Sequence, residues 1–147
     1  EAAAKAYAAF AARHPLPHCF VCGLARAEGD GLRIFPGPTG NDRVHAAPWV
    51  PHASLDDGTG HVAGEFLWAA LDCAGAFAVM EDPEQPLILG ELSARLDRKL
   101  AIGEPTVVVA WPLGVDGRKR LAGTALYSAG VPVAVARATW IVLRNAP

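Results

Sequence analysis

The segment "VAGEFLWAALDCAGAFAVM", residues 62–80, most constrains the fold of this chain. It carries few polar residues and no proline, and it is too long for a strand, so it reads as a buried helix. Asp82-Pro83 ends it. No other part of the region from residue 14 onward has helical character. The rest reads as short β-type runs between Gly, Pro and Asp turns.

Two runs precede the helix. "GLRIFP" (31–36) is a short apolar stretch and an expected strand, followed by the turn "GPTGND". "RVHAAPWV" (43–50) is a second expected strand, and "PHASLDDGTGH" is a loop. Four runs come after the helix: "PLILGELSARLDRKL" (86–100), "PTVVVAWPL" (105–113), "RLAGTALYS" (120–128) and "PVAVARATWIVL" (132–143). "GVDG" (114–117) and the short "AGV" join the last three. Connections this short imply antiparallel neighbours. One apolar helix beside an antiparallel sheet belongs across the concave face of that sheet. It cannot cover both faces, so a second copy of the chain is expected to cover what remains.

The predicted class is therefore α+β: an antiparallel sheet of about six strands wrapped around one long central helix. A chain of 147 residues that is 52% hydrophobic fits one such domain, expected over 14–147. The Ala-rich "EAAAKAYAAFAAR" (1–13) reads as a helical extension with no assigned role, and its first five residues match a common linker design. Thirteen basic against 15 acidic residues create no field that would draw nucleic acid. No apolar run reaches the length of a membrane span, and no signal peptide is visible. Three cysteines, an odd number, suit a reducing compartment better than a disulfide framework, so a cytoplasmic protein is expected.

"HPLPHCFVCG" (14–23) sets Cys19 and Cys22 at CxxC spacing beside His14 and His18. A structural zinc site needs four ligands, usually in two close pairs, and no second pair is visible. Pro15 and Pro17 prevent the helix that HxxxH spacing would need. The residues after Cys22, beginning at Gly23, read as loop, not as the helix a redox CxxC would open. The expected role is a tight buried turn filling space, with no metal.

The order and pattern of these segments resemble hotdog-fold proteins of the acyl-CoA thioesterase superfamily over roughly 14–144. "CFVCG" with "GLRI" resembles an opening segment of uncharacterised members, which implies a structural role for the CxxC. "FLWAALDCAG" resembles the central helix, "LDRKLAIGEPTVVVAW" a strand-turn-strand carrying a basic residue, and "GRKRLAGTALYSAGVPVAVARATWIVL" the terminal hairpin. The resemblance implies an acyl-CoA thioester hydrolase acting on a fatty- or aryl-acyl-CoA. Coenzyme A would enter as part of the substrate, with no other cofactor, and the assembly would be a homodimer or a dimer of dimers. Because the fold also hosts other functions, a non-catalytic acyl-CoA or hydrophobic-ligand binding dimer stays open. A dehydratase is a weaker third option, with His45 and His52 as its candidates.

Site residues come from both the residue pattern and the resemblance. Asp72 sits among Leu67, Trp68, Ala69, Ala70, Leu71, Cys73, Ala74, Ala76 and Phe77, where a carboxylate is rarely found unless paired or working. The resemblance places the catalytic Asp of phenylacetyl-CoA-type thioesterases on it. Glu65, seven residues earlier, would share its face, either as a second carboxylate or as a first-turn Glu favoured by the helix dipole. The amides at Gly64 would polarise a thioester carbonyl. Related enzymes begin this helix with a His-Gly-Gly-like sequence; here it is "HVAGE", with His61 displaced. Arg95, Arg98 and Lys99 are candidates for the phosphates of coenzyme A, with Arg98 at the basic position of the resemblance. Trp68 is a candidate substrate contact, while the four tryptophans, Trp49, Trp68, Trp111 and Trp140, read as core or interface packing.

Overall fold

The computed structural model describes residues 11, 14, 16–41 and 43–144. The helical extension expected over 1–13 lies outside the described residues apart from Ala11, which is helical. Six strands form one antiparallel sheet: β1 (Gly37–Pro38), β2 (His45–Trp49), β3 (Leu87–Leu96), β4 (Thr106–Asp116), β5 (Lys119–Ser128) and β6 (Val131–Val142). Their order across the sheet is β1-β2-β4-β5-β6-β3. The β5–β6 turn is Ala129-Gly130, and both residues have positive φ (49° and 77°), the geometry of a two-residue hairpin that follows the sheet twist.

One expected strand is displaced. Residues 31–36 do not join the sheet; only Gly37–Pro38 does. The N–H groups of Leu32 and Ile34 instead donate to the carbonyls of Phe20 and Val21 at 2.8 and 2.9 Å. Arg33 between them has φ 55°, which no regular strand accommodates. The short apolar run that reads as a sheet strand thus serves to tie this segment to the CxxC turn.

The apolar segment forms the central helical element across the sheet, but in two pieces: α1 (Gly64–Ala70) and α2 (Cys73–Val79), divided at Leu71-Asp72. Leu67, Ala70, Leu71, Ala74 and Ala78 pack against Val108, Ala110, Leu126, Val133 and Ala134 of the sheet. Each fully buried Leu or Val in that layer contributes about 1.5–3 kcal/mol. Gly75 permits a close approach, since a Cβ there would meet Ala122 Cβ at 3.2 Å and Trp140 Nε1 at 3.0 Å.

The division has a hydrogen-bonding logic. Gly75 N–H donates to Asp72 O at 3.0 Å, one residue short of the helical acceptor at Leu71. The Leu71 carbonyl, fully buried, accepts instead from the Thr124 hydroxyl of β5 at 2.8 Å. Asp72, with φ −80° and ψ −83°, sits at the step between the helices. Replacing Thr124 with Val preserves shape and removes the donor, leaving the buried Leu71 carbonyl without it. Thr124→Val is therefore expected to destabilise the fold by about 1–3 kcal/mol, read as a lower midpoint in urea with an unchanged slope. An unchanged midpoint would contradict this account of the break.

Candidate functional site

Asp72 is held by the break between α1 and α2 rather than by a smooth helix. Its Oδ1 is buried with no hydrogen-bond partner among the described residues, and its side chain does not cap α2. A carboxylate oxygen out of water and unpaired is costly. Burial pushes the Asp72 carboxyl up to about 6, and the charge of nearby Cys19 adds to the shift. Raised basicity is what a proton-abstracting carboxylate needs.

Around Asp72 lies a group that spacing alone did not assemble. Cys73, the first residue of α2, brings its sulfur to 3.6 Å from that of Cys19. The three ligand atoms of Cys19, Cys22 and Cys73 all lie within 4.8 Å of one another. His14 Nε2 stands 3.3 Å from Cys22 Sγ. Among the described residues no disulfide joins the cysteines. Hydrogen bonds from Cys22 and Cys73 hold the Cys19 thiol far below the ordinary thiol range. The same bond to Cys19 pushes Cys22 up, to about 12, and Cys73 is raised as well. The odd third cysteine, directly after Asp72, was the only sequence signal for this convergence.

The other candidates divide into two sets. Gly64, Arg98 and Lys99 line one cavity of about 390 Å³ with Val62, Leu67, Leu96, Asp57 and Asp97. Asp72, Glu65, Trp68 and Arg95 are not among its walls. Glu65 and Trp68 are exposed on α1. The cations already have partners. Arg98 binds Glu104 at 2.6 Å and the Lys99 carbonyl at 3.0 Å. Glu104 also accepts from the Ala101 N–H at 3.1 Å, so this pair closes the β3–β4 turn. Arg98 and then Ser128 hold the Glu104 carboxyl down, at about 2. Lys99 Nζ lies 3.8 Å from Asp57, and Arg95 pairs with Asp97 at 2.6 Å while largely exposed.

The histidines considered for a dehydratase sit elsewhere. His45 is half-buried on β2, and burial lowers its pKa. His52 uses its ring to accept from the Ser54 N–H, capping the 3-10 turn Ala53–Leu55. His61 Nδ1 is 3.1 Å from both Thr59 oxygens and belongs to the loop before α1. Among the described residues no helix is long and apolar enough to cross a membrane.

No family model matches the chain, and no curated protein matches it. Solved structures do. A protein of the thioesterase superfamily superposes with a TM-score of 0.74 at 20% identity, over 85% of this chain and 63% of its own. This chain thus spans less than two thirds of that protein's length. A thioesterase of Haemophilus influenzae superposes with a TM-score of 0.71 at 16% identity, over 86% of this chain and 87% of that one. A mutant form of the phenylacetic acid degradation protein PaaI from Thermus thermophilus gives 0.62 at 23% identity, over 69% and 86%. At these identities the likeness is one of fold: the chain has the hotdog fold, with the six-stranded antiparallel sheet and central helical element of these thioesterase-superfamily structures.

Proposed function

We propose that the chain is an acyl-CoA thioester hydrolase that works as a homodimer, with Asp72 as its general base. The observation that carries the reading is the buried, unpartnered Asp72 Oδ1 at the break in the central helical element. A fold seldom keeps such a group unless it has work to do. The names of the superposed structures point to the same reaction class.

In the proposed reaction the Asp72 carboxylate takes a proton from water as the water oxygen attacks the thioester carbonyl. The carbonyl oxygen gathers negative charge near the first amides of α1, at Gly64 and Glu65. The C–S bond then breaks, and the coenzyme A sulfur leaves with the proton. No cofactor enters these steps. Asp72 does not line the cavity shared by Gly64, Arg98 and Lys99, so one subunit would supply the base and its partner the amides and cations. Arg98 would contribute to phosphate binding by sharing its guanidinium with Glu104, and Lys99 by leaving Asp57. Trp68 and Arg95, both exposed, would border the acyl and nucleotide ends. Reduced thiols at Cys19, Cys22 and Cys73 are consistent with work in the cytoplasm.

The dimer has a candidate edge. β3 is ten residues long and ends the sheet, pairing with β6 on one side only. It exposes Ile88, Leu89 and Leu96. A long exposed apolar edge strand invites pairing, and a second copy can pair antiparallel with it across a two-fold axis. Light scattering at micromolar concentration is expected to give at least twice the 15.4 kDa chain mass. A stable monomer with full turnover would remove the shared site.

Asp72→Asn is expected to keep the fold and coenzyme A binding while slowing thiol release from acyl-CoAs by about a hundredfold or more. Removing a poorly solvated charge should leave thermal stability equal or higher. Equal hydrolysis by the variant and the parent would overturn the assignment of Asp72. If neither hydrolyses any acyl-CoA in a panel of chain lengths while both bind them, the protein is an acyl-CoA binding module.

A further inference from the structure

We propose that Cys19, Cys22 and Cys73, with His14 as the fourth donor, form a structural zinc site that fastens the N-terminal turn to the break beside Asp72. The CxxC alone is a weak signal. What changes its meaning is a third sulfur arriving from a separate element, 54 positions along the chain from Cys19.

The distances suit the ligands of one ion as well as a hydrogen-bonded thiol cluster. Two thiolates on one tetrahedral zinc, each at about 2.3 Å from it, stand about 3.8 Å apart, and a thiolate and an imidazole nitrogen about 3.5 Å apart. The observed values are 3.6 Å for Cys19–Cys73 and 3.3 Å for Cys22–His14. All three sulfurs fall within 4.8 Å of one another. Thiolates of this kind select soft or borderline ions such as zinc.

The CxxC turn is closed by Gly23 N–H on the Cys19 carbonyl at 2.8 Å. Gly23 admits no side chain: a Cβ would come within 2.5 Å of the carbonyl oxygens of Pro17 and Cys19. Cys22 is buried and Cys19 and Cys73 are half-buried, so the ion would be shielded from water. His14 is the weakest of the four donors. Its Nε2 is 3.3 Å from Cys22 Sγ but falls outside the group of ligand atoms within 4.8 Å of one another that the three sulfurs form. The ring must therefore move to reach a shared ion. Its Nδ1 accepts the Leu16 N–H at 3.0 Å, and ligation through Nε2 requires that this bond be exchanged. Each ligating thiol gives up its proton, so loading releases protons to the buffer.

This site is separate from the hydrolysis proposed above, and its test does not use activity. Untagged full-length protein, purified under reducing conditions, is expected to carry about one zinc per chain by elemental analysis. After chelation and replacement with cobalt(II), it should show the visible bands of a tetrahedral cobalt thiolate. Cys73→Ser should weaken zinc binding by about a hundredfold or more, because a closed site draws its affinity from all its ligands. His14→Ala should weaken it by about tenfold while keeping the thiolate charge-transfer band. Because a cysteine variant can fail to fold, the parent provides an independent reading: chelation should lower its melting temperature, and zinc alone should restore it. Reduced parent protein that binds no zinc at micromolar concentration would overturn the proposal. So would a folded Cys73→Ser that binds zinc as tightly as the parent, or recovery of the chain with a Cys19–Cys73 disulfide and no zinc affinity after reduction.

Discussion

The hydrogen bond from the Thr124 hydroxyl to the Leu71 carbonyl is the interaction on which the rest of the candidate site depends. A continuous helix through 64–79 would give that carbonyl to Gly75 N–H and place residue 72 by ordinary helical rotation. Instead Gly75 donates to Asp72, and a sheet residue takes the carbonyl. The exchange occurs in fully buried surroundings, where an unmet carbonyl would cost about 1–3 kcal/mol. It therefore fixes where α1 ends and α2 begins, and so fixes Asp72 at the step with Cys73 directly behind it.

Two consequences spread from that step. Forward, α2 settles onto β5 and β6 through Gly75, close to Ala122 and Trp140. Backward, Cys73 reaches the turn that carries Cys19 and Cys22, and this turn holds the extended segment 31–36 through the carbonyls of Phe20 and Val21. The N-terminal segment is thereby tied into the helical layer even though its first apolar run, 31–36, stays out of the sheet and only Gly37–Pro38 after it joins. A zinc ion at the three sulfurs would act on the same joint as Thr124, from the opposite end of the chain.

The parts of this arrangement that depend on local pattern were legible in the sequence. Apolar runs rich in β-branched residues and the short turns "GVDG" and "AGV" identify β4, β5 and β6, and the proline-free apolar run identifies the central helical element. Asp72 stands out because a carboxylate in such a run needs a reason. What escaped depends on contacts between distant residues. Thr124 is one threonine in a strand, and nothing local marks it as the donor to the Leu71 carbonyl. Cys73 looks like a small core residue until the fold brings Cys19 within reach. Arg98 reads as a phosphate ligand from its position, yet Glu104, six residues on, holds it at 2.6 Å. Residues 31–36 read as a sheet strand because a short apolar run between turn residues does not reveal which partner takes the backbone hydrogen bonds.

In the proposed reaction the break in the helical element aims Asp72 at the reacting carbonyl. A crystal structure of Asp72→Asn with a bound acyl-CoA tests it most directly. The account predicts a water within about 2.6–3.2 Å of the residue 72 side chain and about 3–3.5 Å from the thioester carbonyl carbon. It also predicts the carbonyl oxygen at the amides of Gly64 and Glu65 of the partner subunit. A thioester seated elsewhere, such as the cleft between Trp49, His52 and Ile102, with residue 72 out of reach, would contradict it.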